Sequence, residues 1–536
     1  MSRNSERRWI RMSPTTAVVA ALCGAVLAAT ASVAHAEVTV IRAGQIFVGN
    51  GEVIERGMVI LRDGRIVAVG VDLPLPDGST VVDARDGVVT PGLIDANAFL
   101  EPANLLAASR DASPGAANGE AHSLSFAAGD DAIDGADRGA TLGHATGRRG
   151  RFLAQLIMHQ HTEEECSVCD MFAVADSCAF AAAHDDLEDD VNCPVCGYPG
   201  TMFEHLSAAS GVRPGLVLSE SSSEIVPHTH LIDSLNLRSP DLERLVRGGV
   251  TTVFAAPDTT SVIGPQGAIL RTAGRVRDRV IEPSAAVTAS ISTDPFRGAV
   301  RNSPPRLGNV TFNSRRPNTR MGLTWVFRKA FHDARSAAEG RPIGGADTPS
   351  AEAIPVLQRI LDGDLSLRIH ARQQNDIEAA IRLANEFDLS FTLVEATEAY
   401  KTINAIRNAG VPVIFGPIWI DPSGPRARMA DSRDSRLSTI VSLIDAGVTT
   451  ALSAQDLREE EGLARQLMFA VRAGLDPAAA LAAATSTPAK LLGLDDRLGT
   501  IEVGKDAELV VWNAPPHESG SHPLLVLIGG EVVHRH

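Results

Sequence analysis

A chain of 536 residues with a formal net charge of −16 lacks the basic face that non-specific attachment to nucleic acid requires. Two tyrosines and four tryptophans are too few for an aromatic platform that stacks single-stranded bases. A hydrophobic fraction of 44% supplies the core of one large domain with a smaller companion.

The N-terminus predicts export. Arg3, Arg7, Arg8 and Arg11 form a basic region, Ala17 to Val33 is apolar, and Ala34-His35-Ala36 is a small-residue cleavage site. Residues 1–36 are therefore expected to be a signal peptide, with an uncleaved anchor as the alternative. The mature chain is expected to be periplasmic or secreted, with no stable membrane span after cleavage.

Residues 37–90 read as short strands. Val38 to Ile41, Gln45 to Val48, Met58 to Leu61 and Arg65 to Val69 are strand-like, with turn signals at Asn50-Gly51 and Asp63-Gly64. Val88 to Pro102 is the hinge, an apolar strand broken by Pro91-Gly92 and followed by polar residues. Residues 91–497 then alternate. Helices are predicted over 239–248, 376–387, 398–408, 436–446, 461–473 and 477–492. Strands are predicted at 250–255, 365–371, 391–394, 411–415 and 448–453. The alternation predicts a parallel sheet, and the number of units suits a closed (β/α)8 TIM barrel. Strands between Ile281 and Met321 are hard to read, because the stretch is rich in Pro, Arg and Asn. Residues 498–536 return to short strands, so both chain ends are expected to meet in one small β-sandwich.

Residues 103–223 interrupt the rhythm as an insert. Its first part is rich in Ala, Gly and Asp, and its second part holds five of the six cysteines. Cys166 with Cys169 and Cys193 with Cys196 are two knuckles that suit a tetrahedral structural zinc. Disulfides are the alternative in an oxidising compartment, and Cys178 is left over either way.

Several motifs together carry a family resemblance. Val89-Thr90-Pro91-Gly92-Leu93-Ile94-Asp95 looks like the first-strand motif of the amidohydrolase superfamily, and Gly248-Gly249-Val250-Thr251-Thr252-Val253 looks like its second strand. Thr487 to Gly493 and Gly499 to Val510 are similar to its closing motif. The nearest flavour is the imidazolonepropionase-like or dihydroorotase-like branch. The resemblance implies a metal-dependent hydrolase of carbon–nitrogen bonds other than peptide bonds, acting on a small molecule.

In that family a His-x-His pair follows the first strand, a His ends each of the fifth and sixth strands, and an Asp ends the eighth. Carried over, the pair falls on Asn97 and Phe99, the fifth-strand ligand on His370, the sixth near Glu395, and the catalytic Asp on Asp456. His370 and Asp456 are thus the residual barrel metal site, with Asn97, Phe99 and Glu395 as degenerate positions. Lys329 lies in an apparent helix, so no fourth-strand Lys is matched. His228-Thr229-His230 is a second His-x-His, read as a polar loop pair rather than a relocated metal pair. Two readings follow: an exported hydrolase with an altered site, and a catalytically inactive barrel that binds a ligand or partner. Substrate and oligomeric state leave no mark in the sequence.

Overall fold

The computed structural model describes residues 38–100, 223–295, 317, 319–345, 347–418, 434–455 and 462–536. The expected export signal, the insert cysteines and Asp456 lie outside the described residues.

The opening strands are β1 (Val38–Phe47), β2 (Val53–Glu55), β3 (Met58–Arg62), β4 (Arg65–Gly70) and β5 (Thr80–Pro91). The barrel strands are β6 (Leu93–Ala98), β7 (Val250–Ala255), β8 (Ile263–Arg271), β9 (Val280–Ser290), β10 (Ser366–Ala371), β11 (Phe391–Glu395), β12 (Val413–Phe415) and β13 (Thr450–Leu452). The chain closes with β14 (Leu509–Trp512), β15 (Pro523–Ile528) and β16 (Glu531–Arg535).

Both ends of the chain build one sheet, in the order β16-β15-β14-β5-β1-β3-β4, with β2 on the edge of β1. Asp63 and Gly64 take positive φ at the β3–β4 turn, as that dipeptide favours. Strand β5 is longer than the sequence suggests. Residues 88–91, expected to begin the first barrel strand, pair instead with β14. The chain changes sheets at Gly92, where a Cβ would lie 2.2 Å from Thr251 Oγ1. Only glycine leaves room there for the Thr251 side chain.

The second sheet runs β6 through β13 in chain order. Its ends meet: Phe99 N–H donates to Gln455 O at 2.9 Å, and Ala454 N–H donates to Asp95 Oδ2 at 3.0 Å. The result is a closed, barrel-like α/β body, with one departure from a uniform (β/α)8 repeat. Strand β8 runs antiparallel to both β7 and β9. The segments on either side of it, 256–262 and 272–279, are shorter than a parallel crossover with its helix requires, so the chain doubles back. Gly267 lets β8 lie against β7, since a Cβ there would meet the Phe254 ring at 2.3 Å.

Helices cover the barrel: α1 (Pro240–Arg247), α2 (Arg320–Ala338), α3 (Ala353–Leu361), α4 (Gln374–Phe387), α5 (Ile403–Ala409), α6 (Thr439–Asp445), α7 (Leu463–Arg472), α8 (Pro477–Ala484) and α9 (Ser486–Leu491). In α1, Ser239 caps the Asp241 N–H, and Leu242, Leu245 and Val246 face the core. The predicted helix 477–492 is two helices broken at Thr485, because Pro488 cannot donate into a continuous turn.

The two bodies are locked at the barrel base. Trp512 is fully buried, and its Nε1–H donates to Thr90 Oγ1 at 2.9 Å. Arg271 bridges Glu508 at 2.8 Å and Asp506 at 3.0 Å. Thr252 donates to the other Glu508 oxygen at 3.0 Å.

Candidate site at the barrel mouth

The C-terminal ends of the parallel strands define the mouth. Strand β6 places Asp95, Asn97 and then Phe99 at alternating positions, and β10 does the same with Arg368, His370 and then Arg372. The two strands lie on opposite sides of the barrel in its strand order. Their side chains meet inside it. The buried Arg368 guanidinium donates to Ala96 O and stacks 3.5 Å from the centre of the Phe254 ring. Burial pulls its pKa down to about 9, against the attraction of Asp95. The Phe99 and His370 rings are 6.3 Å apart.

Asp95 is structural. Its carboxylate accepts the N–H groups of Asn97 and Ala454, each at 3.0 Å, and so ties β6 to β13. Burial pushes its pKa up, with those hydrogen bonds opposing.

Past β9, β10 and β11 lies a charged network. Arg372 donates through Nε to Glu395 Oε2, and through Nη2 to Glu395 Oε1 at 3.1 Å and Asp294 Oδ2 at 2.6 Å. Thr259 Oγ1 also donates to Asp294 Oδ2, at 2.6 Å. Burial would raise the Asp294 pKa, yet the charge and hydrogen bond of Arg372 hold it below the ordinary carboxylate value. Glu395 and Ala396 have φ of 72° and 52°, left-handed backbone that costs non-glycine residues about 1–3 kcal/mol each. The strained turn ends β11 with Glu395 facing Arg372.

Glu395 Oε1 also lies 3.2 Å from His370 Nδ1. A carboxylate only accepts, so Nδ1 is the donor, and in the neutral ring Nε2 then carries the lone pair. That Nε2 is buried without a partner among the described residues, and so are both amide atoms of Asn97. Other buried polar atoms of the barrel strands also lack a partner among the described residues, Thr288 Oγ1 and Gln266 Oε1 among them, whereas the Ser453 hydroxyl donates to Asn97 O at 2.8 Å.

The sequence-predicted residues thus separate. Phe99, His370 and Glu395 come together at the mouth, and Asn97 is buried at the end of β6, two residues before Phe99. Lys329 sits on α2, bound to Asp333 and Thr348, away from any strand end. His230 pairs with Ser284 of β9 at 2.8 Å. Arg372, Arg368 and Asp294 were not anticipated. The period-two series Arg368, His370, Arg372 was the available signal for the arginines. Asp294 falls in the Pro- and Arg-rich stretch where strands were unreadable. A cleft of about 590 Å³ lies at the opposite end, lined in part by Arg238, Arg247, Arg279 and His534. It shares no residue with the mouth.

The resemblance implies a divalent metal, and the described residues do not fit one. No group of three His, Cys, Asp or Glu side chains among them could hold an ion. Glu395 and Asp294 are both engaged by Arg372. What the mouth can offer instead is a His–carboxylate pair with an open imidazole nitrogen and an amide able to donate and accept.

Comparisons with known proteins agree with this architecture. A solved amidohydrolase from Thermotoga maritima MSB8 superposes with a TM-score of 0.63 over 93% of this chain and 100% of that one, at 22% identity, a likeness of fold. Amidohydrolase tasK of Hapsidospora irregularis is 28% identical over 363 residues, 62% of this chain and 36% of that protein. The matched region is thus little more than a third of that relative's length. Imidazolonepropionase of Rhizobium meliloti (strain 1021) is 26% identical over 320 residues, 59% of this chain and 70% of that protein. The profile described as "Amidohydrolase family" matches residues 241–533, more than half of the chain, and the chain belongs to that family.

Proposed function

We propose that the barrel mouth receives a small molecule with an amide-type carbon–nitrogen bond, and that the chain is a hydrolase of such non-peptide bonds. The observation that carries this reading is the set of buried polar atoms left unpaired there among the described residues, His370 Nε2 and the Asn97 amide. Leaving such a group unsatisfied costs about 1–3 kcal/mol. Two at one strand-end face are best explained by a ligand that supplies the partners. Family membership and relatives named amidohydrolase and imidazolonepropionase support the bond type.

His370 would act as general base. Glu395 holds its Nδ1–H, so Nε2 can take a proton from water beside the scissile carbonyl. Asn97 Nδ2 would donate to the carbonyl oxygen as charge grows on it. One observation favours the second reading, a barrel that binds without hydrolysing. Arg372 draws charge from Glu395 and weakens the support that Glu395 gives an imidazolium.

The test is a panel of lactams, cyclic imides, ureas and N-acyl compounds, followed for release of carboxylate or amine, with wild type and His370→Ala. Turnover lost in His370→Ala supports hydrolysis. Saturable binding without turnover supports the binding barrel. Turnover unchanged in His370→Ala would remove the mouth as the site.

A further inference from the structure

Strands β9, β10 and β11 are consecutive in the barrel, and each ends in a buried charged group. Asp294 follows β9, Arg372 follows β10 and Glu395 ends β11. Side-chain exposures are 9%, 6% and 3%. Two carboxylates on flanking strands repel each other at short range in a medium poor in water. They can remain ionised side by side only with positive charge between them.

Divalent metals commonly supply that charge at such strand ends. Here the central strand supplies it. The Arg372 fork addresses both oxygens of Glu395 and reaches Asp294 Oδ2 with the same Nη2. A planar guanidinium is suited to such bidentate recognition. Further acceptor sites are taken by His370 Nδ1 on Glu395 Oε1 and by Thr259 on Asp294 Oδ2. An incoming ion would have to expel a buried guanidinium and leave its donors unpaired.

We propose that Arg372 is the permanent cation of this barrel mouth, holding Glu395 and Asp294 together in place of a divalent ion, so that the mouth works without a metal. Arg372 is then a positioning residue. It fixes Glu395, and Glu395 fixes the His370 ring with Nε2 open. The assignment rests on the reading of the mouth as the ligand site only for what works without a metal, and its test does not read activity.

The full chain is exposed to excess zinc or manganese chloride, desalted, and its metal content measured by plasma mass spectrometry. Wild type is compared with His370→Ala and with a variant carrying Ser at Cys166, Cys169, Cys193 and Cys196. Any metal bound by wild type is expected to disappear with the cysteine changes and to be untouched by His370→Ala. A full equivalent that survives the cysteine changes and is lost in His370→Ala would overturn the proposal. The second arm compares thermal midpoints of Arg372→Gln and Arg372→Lys. The neutral variant is expected to fall by several degrees, and lysine to recover part of that loss. Guanidinium chloride, at concentrations that leave wild type unaffected, is expected to raise the Arg372→Gln midpoint above that in matched sodium chloride. An Arg372→Gln midpoint equal to wild type, or one raised by zinc and not by guanidinium, would also overturn the proposal.

Discussion

The base and the mouth of the barrel each hold one arginine between two carboxylates. At the base Arg271 joins Glu508 and Asp506. At the mouth Arg372 joins Glu395 and Asp294. The neighbours differ. Around Arg271 the polar groups are closed off: Thr252 donates to Glu508, Thr272 to Val250 O, and Arg497 to Asp506. Around Arg372 the charges are closed off, yet among the described residues His370 Nε2 and the Asn97 amide have no partner. The same charge motif serves as a clamp between two bodies in one place and as the support of a reactive surface in the other. What sets the mouth apart is the pairing of such a charge cluster with neutral polar atoms that have no partner among the described residues.

The sharpest way to break this comparison is to remove each arginine. Arg372→Met strands two deeply buried carboxylates and is expected to cost about 3–5 kcal/mol in urea unfolding. Arg271→Met is expected to cost less, about 1–3 kcal/mol. Arg271 is 20% exposed against 6% for Arg372, and Asp506 keeps Arg497 at 2.6 Å. Equal costs would deny that the two motifs differ in environment.

Asn97→Leu sharpens the comparison from the other side. It replaces an amide with no described partner by an apolar group of similar size, and so should be neutral or stabilise by up to about 1–3 kcal/mol, while ligand binding is lost. The same kind of change at the base, Thr252→Val, strips a donor from the buried Glu508 and should destabilise. A large loss of stability in Asn97→Leu would mean that Asn97 is structural.

Acid titration gives the smallest effect. The Asp294 pKa is lowered in the folded chain, so its contribution is present above the ordinary carboxylate value near 3.8 and is lost as pH falls through the lowered value. The Asp95 pKa is raised, so its burial penalty is relieved as pH falls through that raised value. Stability against pH for Asp294→Asn should therefore be flatter than wild type on the acid side. An unchanged slope would remove Asp294 from the network.

Much of the architecture was legible because it depends on local chemistry. Asp63-Gly64 turned where its backbone freedom predicts, Ser239-Pro240 opened α1, and period-two apolar runs became β10 and β11. The long β5 was not legible, since whether Val88 to Pro91 join one sheet or the next depends on pairing with β14, over four hundred residues away. The reversed β8 escaped for a related reason: Gly264, Pro265 and Gly267 are poor strand formers, and it is pairing with β7 and β9 that holds them extended. At the site, His370 and Glu395 were found through the resemblance. Arg372 went unnoticed although its spacing put it on their face, because the resemblance directs attention to metal ligands. A residue that replaces a metal by charge has no place in a list of ligands.

The most direct test of a metal-free mouth is isothermal titration of a cyclic amide or urea, identified in the panel, against the full chain dialysed into a strong chelator. Binding of unchanged affinity in the chelator is expected, abolished by Asn97→Leu and retained when the insert cysteines are changed to serine. Binding that vanishes in the chelator and returns with zinc in the cysteine-free variant would contradict it.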